Sequence, residues 1–303
     1  VVDQRDEDPR SGLVTERLVE LARSGQPRAG GQVVCVLNRT GRARLLACGA
    51  CGELARCEAC RGPLGQPGPA GSELACRDCG LTRPVVCAAC GSQRLKLLRP
   101  GVARLREELE ALVGTPVAEI SGRPDGEVPS TAVVVGTEAA LHRLPGAAAV
   151  AFLDFDQELL APGFRAGEAA LALLARAARL VGGRRGRILI QTRIPHHEVL
   201  VAALHADPGR LSGPEAERRR ALRLPPAAAL ARVSGPGAEP YAAALVAGAG
   251  QAPEAAAGGV EVLGPSEGAY LVRAPDHATL GLALAAVPRP RSRVRVEVDP
   301  RRV

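Results

Sequence analysis

Eight of the nine cysteines fall into four C-x-x-C pairs between residues 48 and 90: Cys48/Cys51, Cys57/Cys60, Cys76/Cys79 and Cys87/Cys90. A C-x-x-C turn points two thiolates at one tetrahedral ion, and two such turns close a four-sulfur structural site. Four pairs therefore give two sites, and two Zn2+ ions are the expected occupants. Gly49, Gly52, Gly80 and Gly91 flank the pairs, as tight metal-binding turns require. A disulfide framework fits poorly in a chain with no visible export signal, a redox C-x-x-C needs one reactive pair and not four, and iron–sulfur ligation is a minor alternative. Spacing does not fix which pairs share an ion. Joining Cys57/Cys60 to Cys76/Cys79 leaves 15 residues between them, a common ribbon-like gap. Cys48/Cys51 would then close with Cys87/Cys90 around the outside, and this nested scheme is sterically simple. Cys35 stands alone in the apolar run QVVCVL and reads as a small core residue.

The rest of the 303-residue chain has room for two or three domains. With 46% hydrophobic but only 2% aromatic residues, and no Met or Trp, its core must be built from Ala, Val and Leu. The formal charge is +7. Eight metal-bound thiolates and two zinc ions reduce that to roughly +3, so basicity alone argues weakly for a nucleic-acid partner. No apolar run approaches the ~20 residues that span a bilayer, so no membrane partner is expected and a cytoplasmic location is. The opening VVDQRDEDPRSG reads like the interior of a longer chain, which makes a fragment the expectation.

Residues 13 to 24 and 102 to 112 carry helical spacing, and residues 166 to 181 form an Ala- and Leu-rich helix. Short β-branched runs at 32 to 37, 116 to 120, 132 to 135, 150 to 155 and 188 to 192 read as strands. Strands alternating with helices predict a parallel α/β domain over residues 1–46 and 92–195, with the cysteine module 47–91 inserted after its first strand, 32 to 37. Residues 206–303 predict a small α+β domain with an antiparallel sheet and a charged helix at 215 to 223.

Arg184, Arg185 and Arg187 flank glycines in an expected loop and are candidate DNA phosphate contacts, against the plainer reading of a solvated basic turn. Arg218 and Arg219, on the charged helix, are further candidates. Asp154 and Asp156 end a strand and read as a cap or turn. His196-His197 lacks a matching ligand cluster, and no nucleophile–base set stands out.

These pieces together resemble the C-terminal half of the PriA family of primosomal replication-restart proteins. The residues that carry the resemblance are Val33 to Gly41 with its N-R-x-G turn, the four cysteine pairs, Leu153-Asp154-Phe155-Asp156, Phe164-Arg165-Ala166-Gly167-Glu168, Ile190-Gln191-Thr192, Glu217-Arg218-Arg219 with Leu224-Pro225-Pro226, Val262 to Pro265 and Val296 to Pro300. The resemblance implies a RecA-like second helicase lobe, nested zinc pairing, forked or single-stranded DNA as ligand, and single-stranded DNA-binding protein and primosome proteins as partners, at the nucleoid. It implies ATP as a family cofactor, but the motor motifs depart from the family pattern. Gly136-Thr137-Glu138-Ala139-Ala140-Leu141-His142-Arg143 lacks the K-G that closes motif V. Counting back from Gln191 puts Leu174, Ala178 and Val181 at the glutamine and the two arginines of motif VI, with Arg176 and Arg179 one slip away. No G-x-x-x-x-G-K-[ST] loop is present. The expectation is a degenerate lobe, like those of some high-GC Gram-positive members, in a DNA-binding restart protein without helicase activity. The alternatives are an active 3′-to-5′ helicase with its ATP-binding lobe in a missing N-terminal part, and a zinc-ribbon interaction module unrelated to replication.

Overall fold

The computed structural model describes residues 1–7, 12–25, 31–37, 46–65, 73–76, 79–97, 102–120, 128–161, 163–183, 186–249, 259–266 and 268–300. In chain order it has strand β1 (Val2–Asp3), helix α1 (Glu16–Arg23) and strand β2 (Val33–Val36). The cysteine insertion then adds β3 (Leu46–Cys48), β4 (Leu64–Gly65), β5 (Glu73–Cys76), β6 (Thr82–Pro84) and β7 (Leu95–Leu97). There follow α2 (Val102–Val113), β8 (Val117–Ile120), β9 (Val133–Gly136), α3 (Ala140–Arg143), β10 (Ala149–Phe152), α4 (Asp156–Leu159), α5 (Ala166–Leu180), β11 (Arg187–Thr192) and α6 (Glu198–Leu204).

Six of these strands form one sheet in the order β1-β11-β10-β2-β9-β8, and every pairing in it is parallel. The composition explains why. Strands β2, β9 and β10 read VVCV, VVVG and AVAF and are buried throughout, as strands covered on both faces must be. Val33, Cys35, Val133, Val135, Ala149 and Ala151 point to the side packed by Leu18, Leu21 and Ala22 of α1 and Leu105 and Leu109 of α2. The alternate residues Val34, Val134, Val150 and Phe152 are equally buried on the other side, where α3 and α5 contact strands β2 and β11. With so few aromatics, close approach of small residues replaces bulk. A Cβ on Gly136 would sit 2.8 Å from the Ile120 carbonyl oxygen and 3.1 Å from the Ala140 Cβ, so only glycine lets β8 and α3 close around the end of β9.

Helix α1 starts where Thr15 caps it, its hydroxyl accepting from the Leu18 N–H at 3.3 Å. The same hydroxyl donates to Gln191 Oε1 at 2.6 Å, so the cap also fixes the helix to the end of β11.

By internal packing the chain divides into two units, residues 1–162 with 166–207, and residues 163–165 with 208–303. The second unit contains α7 (Gly209–Leu222), β12 (Ala229–Ser234), α8 (Ala238–Ala249), β13 (Glu261–Ser266), β14 (Ala269–Ala274), a helix at His277–Ala286 and β15 (Arg295–Val298). Its sheet is antiparallel in the order β13-β14-β12-β15. Ala229, Ala231, Val233 and Val272 on one face pack on Tyr241 and Leu245 of α8 and on Leu280. Helix α7 is longer than the charged run 215 to 223 predicts. Its first turns contain Gly209, Gly213 and Pro214, residues that break helical patterns in a sequence reading.

Candidate functional site

The insertion leaves and rejoins the parallel domain through an antiparallel stem in which β3 pairs with β7, Leu46 opposite Leu97 and Cys48 opposite Leu95. Beyond the stem the four C-x-x-C turns share one backbone design. The N–H of the residue after the second cysteine donates to the carbonyl of the first: Gly52 to Cys48 at 2.9 Å, Arg61 to Cys57 at 3.0 Å, Gly80 to Cys76 at 3.1 Å and Gly91 to Cys87 at 2.9 Å. Each of those residues has left-handed backbone, at φ 75° for Gly52 and Gly80, 72° for Gly91 and 64° for Arg61. Three turns thus carry the residue that adopts this conformation freely, and one carries an arginine that adopts it at a cost. The first cysteine's own N–H donates back to Glu53, Gly62, Leu81 and Ser92 respectively, each at 2.8 Å.

The turns bring the thiols together in two quartets, Cys48, Cys51, Cys87 and Cys90, and Cys57, Cys60, Cys76 and Cys79, with the sulfurs of each within 4.8 Å of one another. The pairing is nested. Across the outer quartet the sulfurs are 3.6 Å apart for both Cys48–Cys90 and Cys51–Cys87. Across the inner one they are 3.5 Å apart for Cys57–Cys79 and 3.4 Å for Cys60–Cys76. Disulfides need about 2.05 Å. Sulfurs at the corners of a tetrahedron with bonds of ~2.3 Å lie about 3.8 Å apart, so the quartets are close to the geometry of a zinc-sized ion. Either quartet could hold one metal ion, and four thiolates in a closed tetrahedron suit zinc.

Without a metal the four thiols of a quartet cannot all ionise. Burial opposes ionisation of Cys48, but the N–H groups of Cys51 and Ala50 and the neighbouring thiols outweigh it and bring its pKa down to about 6. Burial, reinforced by the neighbouring sulfurs of Cys90, Cys87 and Cys48, pushes Cys51 up to about 12. The inner quartet repeats the division. The Cys60 N–H leads in lowering Cys57 to about 7, and burial leads in raising Cys60 to about 12. A divalent cation removes this conflict by taking the place of the protons. Cys35 plays no part. It is fully buried in β2, and burial alone raises its thiol to about 12.

A second constellation lies at the carboxyl ends of the parallel strands, the edge where open α/β sheets bind ligands. Gly136-Thr137 closes β9, Asp154 and Asp156 follow β10, and Gln191-Thr192-Arg193 closes β11. Asp154 and Asp156 sit in the turn that opens α4, as a cap or turn predicts, but both are buried, and Asp156 bonds to the end of β11. Asp156 accepts from the Thr192 hydroxyl and from the Arg193 N–H at 3.0 and 3.2 Å, and the Arg193 guanidinium lies 3.8 Å away. Arg193 in turn donates to Gln4 Oε1 at 2.8 Å, and Gln4 and Gln191 both donate to the Leu153 carbonyl, at 3.3 and 3.1 Å. Burial raises both carboxyl groups, Asp156 to about 7, with the adjacent Asp154 charge as its second cause. The sequence singles out the Asp pair ending one strand and Gln191-Thr192 ending another, but not that they meet in one buried network.

The motif VI positions on α5 are apolar. Leu174 and Val181 are buried within the domain, and Ala178 is half-buried. Of the two arginines a slip away, Arg176 donates its Nε–H to the Leu141 carbonyl at 3.0 Å, and Arg179 is exposed.

The candidate DNA-contact arginines separate. Arg184 and Arg185 lie outside the described residues. Arg187 is exposed at the start of β11, the sheet end opposite the polar constellation, and donates to the Ser24 hydroxyl at 2.7 Å. Arg218 keeps 46% of its side chain exposed and pairs with Glu215 at 2.6 Å. Arg219 is 5% exposed and turned inward. It donates to Glu215 at 2.9 Å and to the carbonyls of Pro225 and Phe164 at 3.3 and 3.5 Å, and its guanidinium carbon lies 5.4 Å from the centre of the Phe164 ring. A phosphate contact from Arg219 would require this network to open. His197 serves as the cap of α6, its Nδ1 accepting from Val199 N–H at 3.3 Å. Among the described residues no helix is long and apolar enough to cross a membrane.

Comparison with known proteins gives a consistent answer. The chain is 33% identical over 245 residues to the probable replication restart protein PriA of Mycobacterium tuberculosis, a match covering 77% of this chain and 36% of that protein. It is 29% identical over 245 residues to the replication restart protein PriA of Haemophilus influenzae, covering 75% of this chain and 33% of that one. It is 27% identical over 258 residues to that of Bacillus subtilis, covering 77% and 31%. The matches thus span only about a third of the length of these relatives. No family model matches the chain.

Proposed function

We propose, from the premise that this chain is a stretch of PriA-family sequence, that it belongs to a DNA-binding primosome component acting in replication restart at stalled or branched forks without unwinding DNA itself. In this reading residues 1–46 and 92–195 are a RecA-like second helicase lobe kept as a scaffold, residues 47–91 a two-zinc recognition module, and residues 206–303 a C-terminal domain. The observation that carries it is that the positions counted to the two motif VI arginines hold Ala178, half-buried, and Val181, packed inside the domain, with Leu174 at the glutamine. In related NTPases such arginines reach the γ-phosphate and are worth 10³-fold or more in rate. A side chain without charge, facing a core, cannot supply that.

DNA contact is assigned to Arg184, Arg185, Arg187 and Arg218, with Arg219 holding the helix that presents Arg218. Single-stranded DNA-binding protein and other primosome proteins are the proposed partners, and the nucleoid the place of action. A second reading, an active 3′-to-5′ helicase with its ATP-binding lobe elsewhere in a longer protein, draws on the convergence of Gly136-Thr137, Asp154, Asp156 and Gln191-Thr192 at the sheet's carboxyl edge. The PriA matches disfavour a zinc-ribbon module unrelated to replication. The test is an assay of fork-DNA binding and DNA-stimulated ATPase on the full-length protein. Tight fork binding without ATP turnover is expected, and ATPase that rises with forked DNA refutes the non-catalytic reading.

A further inference from the structure

We propose that the inner cysteine quartet is an oxidant-sensitive site: a peroxide turns its exposed thiolates into disulfides and releases its zinc, while the outer quartet keeps its ion. The proposal rests on the reading of both quartets as zinc sites.

The two quartets differ in how their ligands meet solvent. In the inner one Cys60 and Cys79 are both exposed, one from each turn, while Cys57 and Cys76 are buried. In the outer one only Cys90 is exposed, with Cys51 half-buried and Cys48 and Cys87 buried. Thiolate character and access together set oxidation rates, and zinc keeps all four sulfurs of a site in the thiolate form. Access therefore distinguishes the two sites, and the inner one offers two points of attack.

Geometry supplies the second step. Each exposed inner sulfur faces a buried one across the site, Cys60 to Cys76 at 3.4 Å and Cys79 to Cys57 at 3.5 Å. An exposed thiolate attacks one peroxide oxygen, the O–O bond breaks, and a sulfenic acid forms with release of hydroxide. The facing thiolate then attacks that sulfur, an S–S bond forms, and the second hydroxide leaves. Two thiolates have lost two electrons to one hydrogen peroxide molecule, and an ion left with two sulfur ligands dissociates. The buried partners Cys57 and Cys76 also sit in the module's small apolar cluster with Leu46, Ala55, Leu64 and Leu74. Oxidation of the inner site thus withdraws the ion from the ligands that anchor that cluster, and the recognition surface loosens with it.

The experiment titrates hydrogen peroxide into the zinc-loaded full chain, follows released zinc with a chromogenic chelator, and maps disulfides by peptide mass spectrometry. One zinc equivalent is expected to leave first, with Cys60–Cys76 or Cys57–Cys79 linkages. Cys48, Cys51, Cys87 and Cys90 should stay protected from alkylation until the second equivalent leaves. Simultaneous loss of both ions, first modification at Cys90, or no release at all overturns the proposal. A chain that carries fewer than two zinc ions at the outset overturns the two-site reading instead.

Discussion

Replacing Asp156 by asparagine should make the first unit less sensitive to rising pH. Asp156 is 0% exposed, and burial, followed by the charge of Asp154, raises its pKa from 3.8 to about 7, against the pull of Thr192 and Arg193. Between those two values the folded protein holds a proton that the unfolded chain has released. The favourable contribution is complete below pH 3.8 and is lost as pH rises through about 7. A difference of roughly 3 pH units, at about 1.4 kcal/mol each, sets a ceiling of about 4 kcal/mol. Between pH 5 and 8 some two of those units remain, or about 3 kcal/mol. Asparagine keeps a carbonyl oxygen for the Thr192 hydroxyl and the Arg193 N–H, has nearly the same shape and never ionises. The assay is urea unfolding of the zinc-loaded wild type and Asp156→Asn at pH 5, 6, 7 and 8, read as the difference between the two. That difference cancels the opposite trend of the cysteine sites, where protons compete with the metal as pH falls. The variant should gain on the wild type steadily through this range. A difference that stays flat would show that the carboxyl is ionised throughout, satisfied by Arg193, and the argument from burial would fail.

Cys57→Ser should lower zinc content by one equivalent and open the insertion to protease, while the helical circular dichroism of the rest is kept; unchanged protease resistance would mean the inner site is not structural. Arg61→Gly should stabilise the inner turn by about 1 kcal/mol, because the position is left-handed, measured as slower zinc loss to a competing chelator. Arg219→Ala should destabilise the second unit by about 3 kcal/mol in urea unfolding by leaving Glu215 buried with one partner fewer. Arg218→Ala should cost less than Arg219→Ala, about 1 kcal/mol, since Arg218 keeps 46% of its side chain exposed, and should weaken fork binding and its salt dependence.

The cysteines were legible as two sets of metal ligands, because C-x-x-C spacing is a local code; the nesting was not fixed by spacing and rested on steric simplicity and the family resemblance. The buried strands were legible for a similar reason: VVCV, VVVG and AVAF have no polar face to show to water. Strand β1 was not, since a two-residue strand carries no period and exists only by pairing with Gln191 and Thr192. Asp156 and Gln191-Thr192 were singled out, but not their meeting in one polar network, because Gln4, Thr15, Asp156, Gln191 and Arg193 are scattered along the chain. Arg219 shows the same blindness. Three consecutive arginines on a helix look like a basic face, and only the packing of Phe164 and Glu215 shows which of them turns inward.

The stem of the insertion has a consequence for how such a chain is assembled. Because Leu46 pairs with Leu97, the backbone departs and returns one strand spacing apart, about 4.8 Å. From Leu46 to Leu97 the excursion therefore closes on itself like a hairpin. Closure entropy grows only slowly with loop length, and a metal ion held by the outer quartet, where Cys48 faces Cys90 just past the stem, would pin the excursion at its neck. The insertion is in effect a graft on a short stalk. It can be lengthened or cut back while β2 still pairs with β9 and β10, so the tip is free to diverge independently of the sheet.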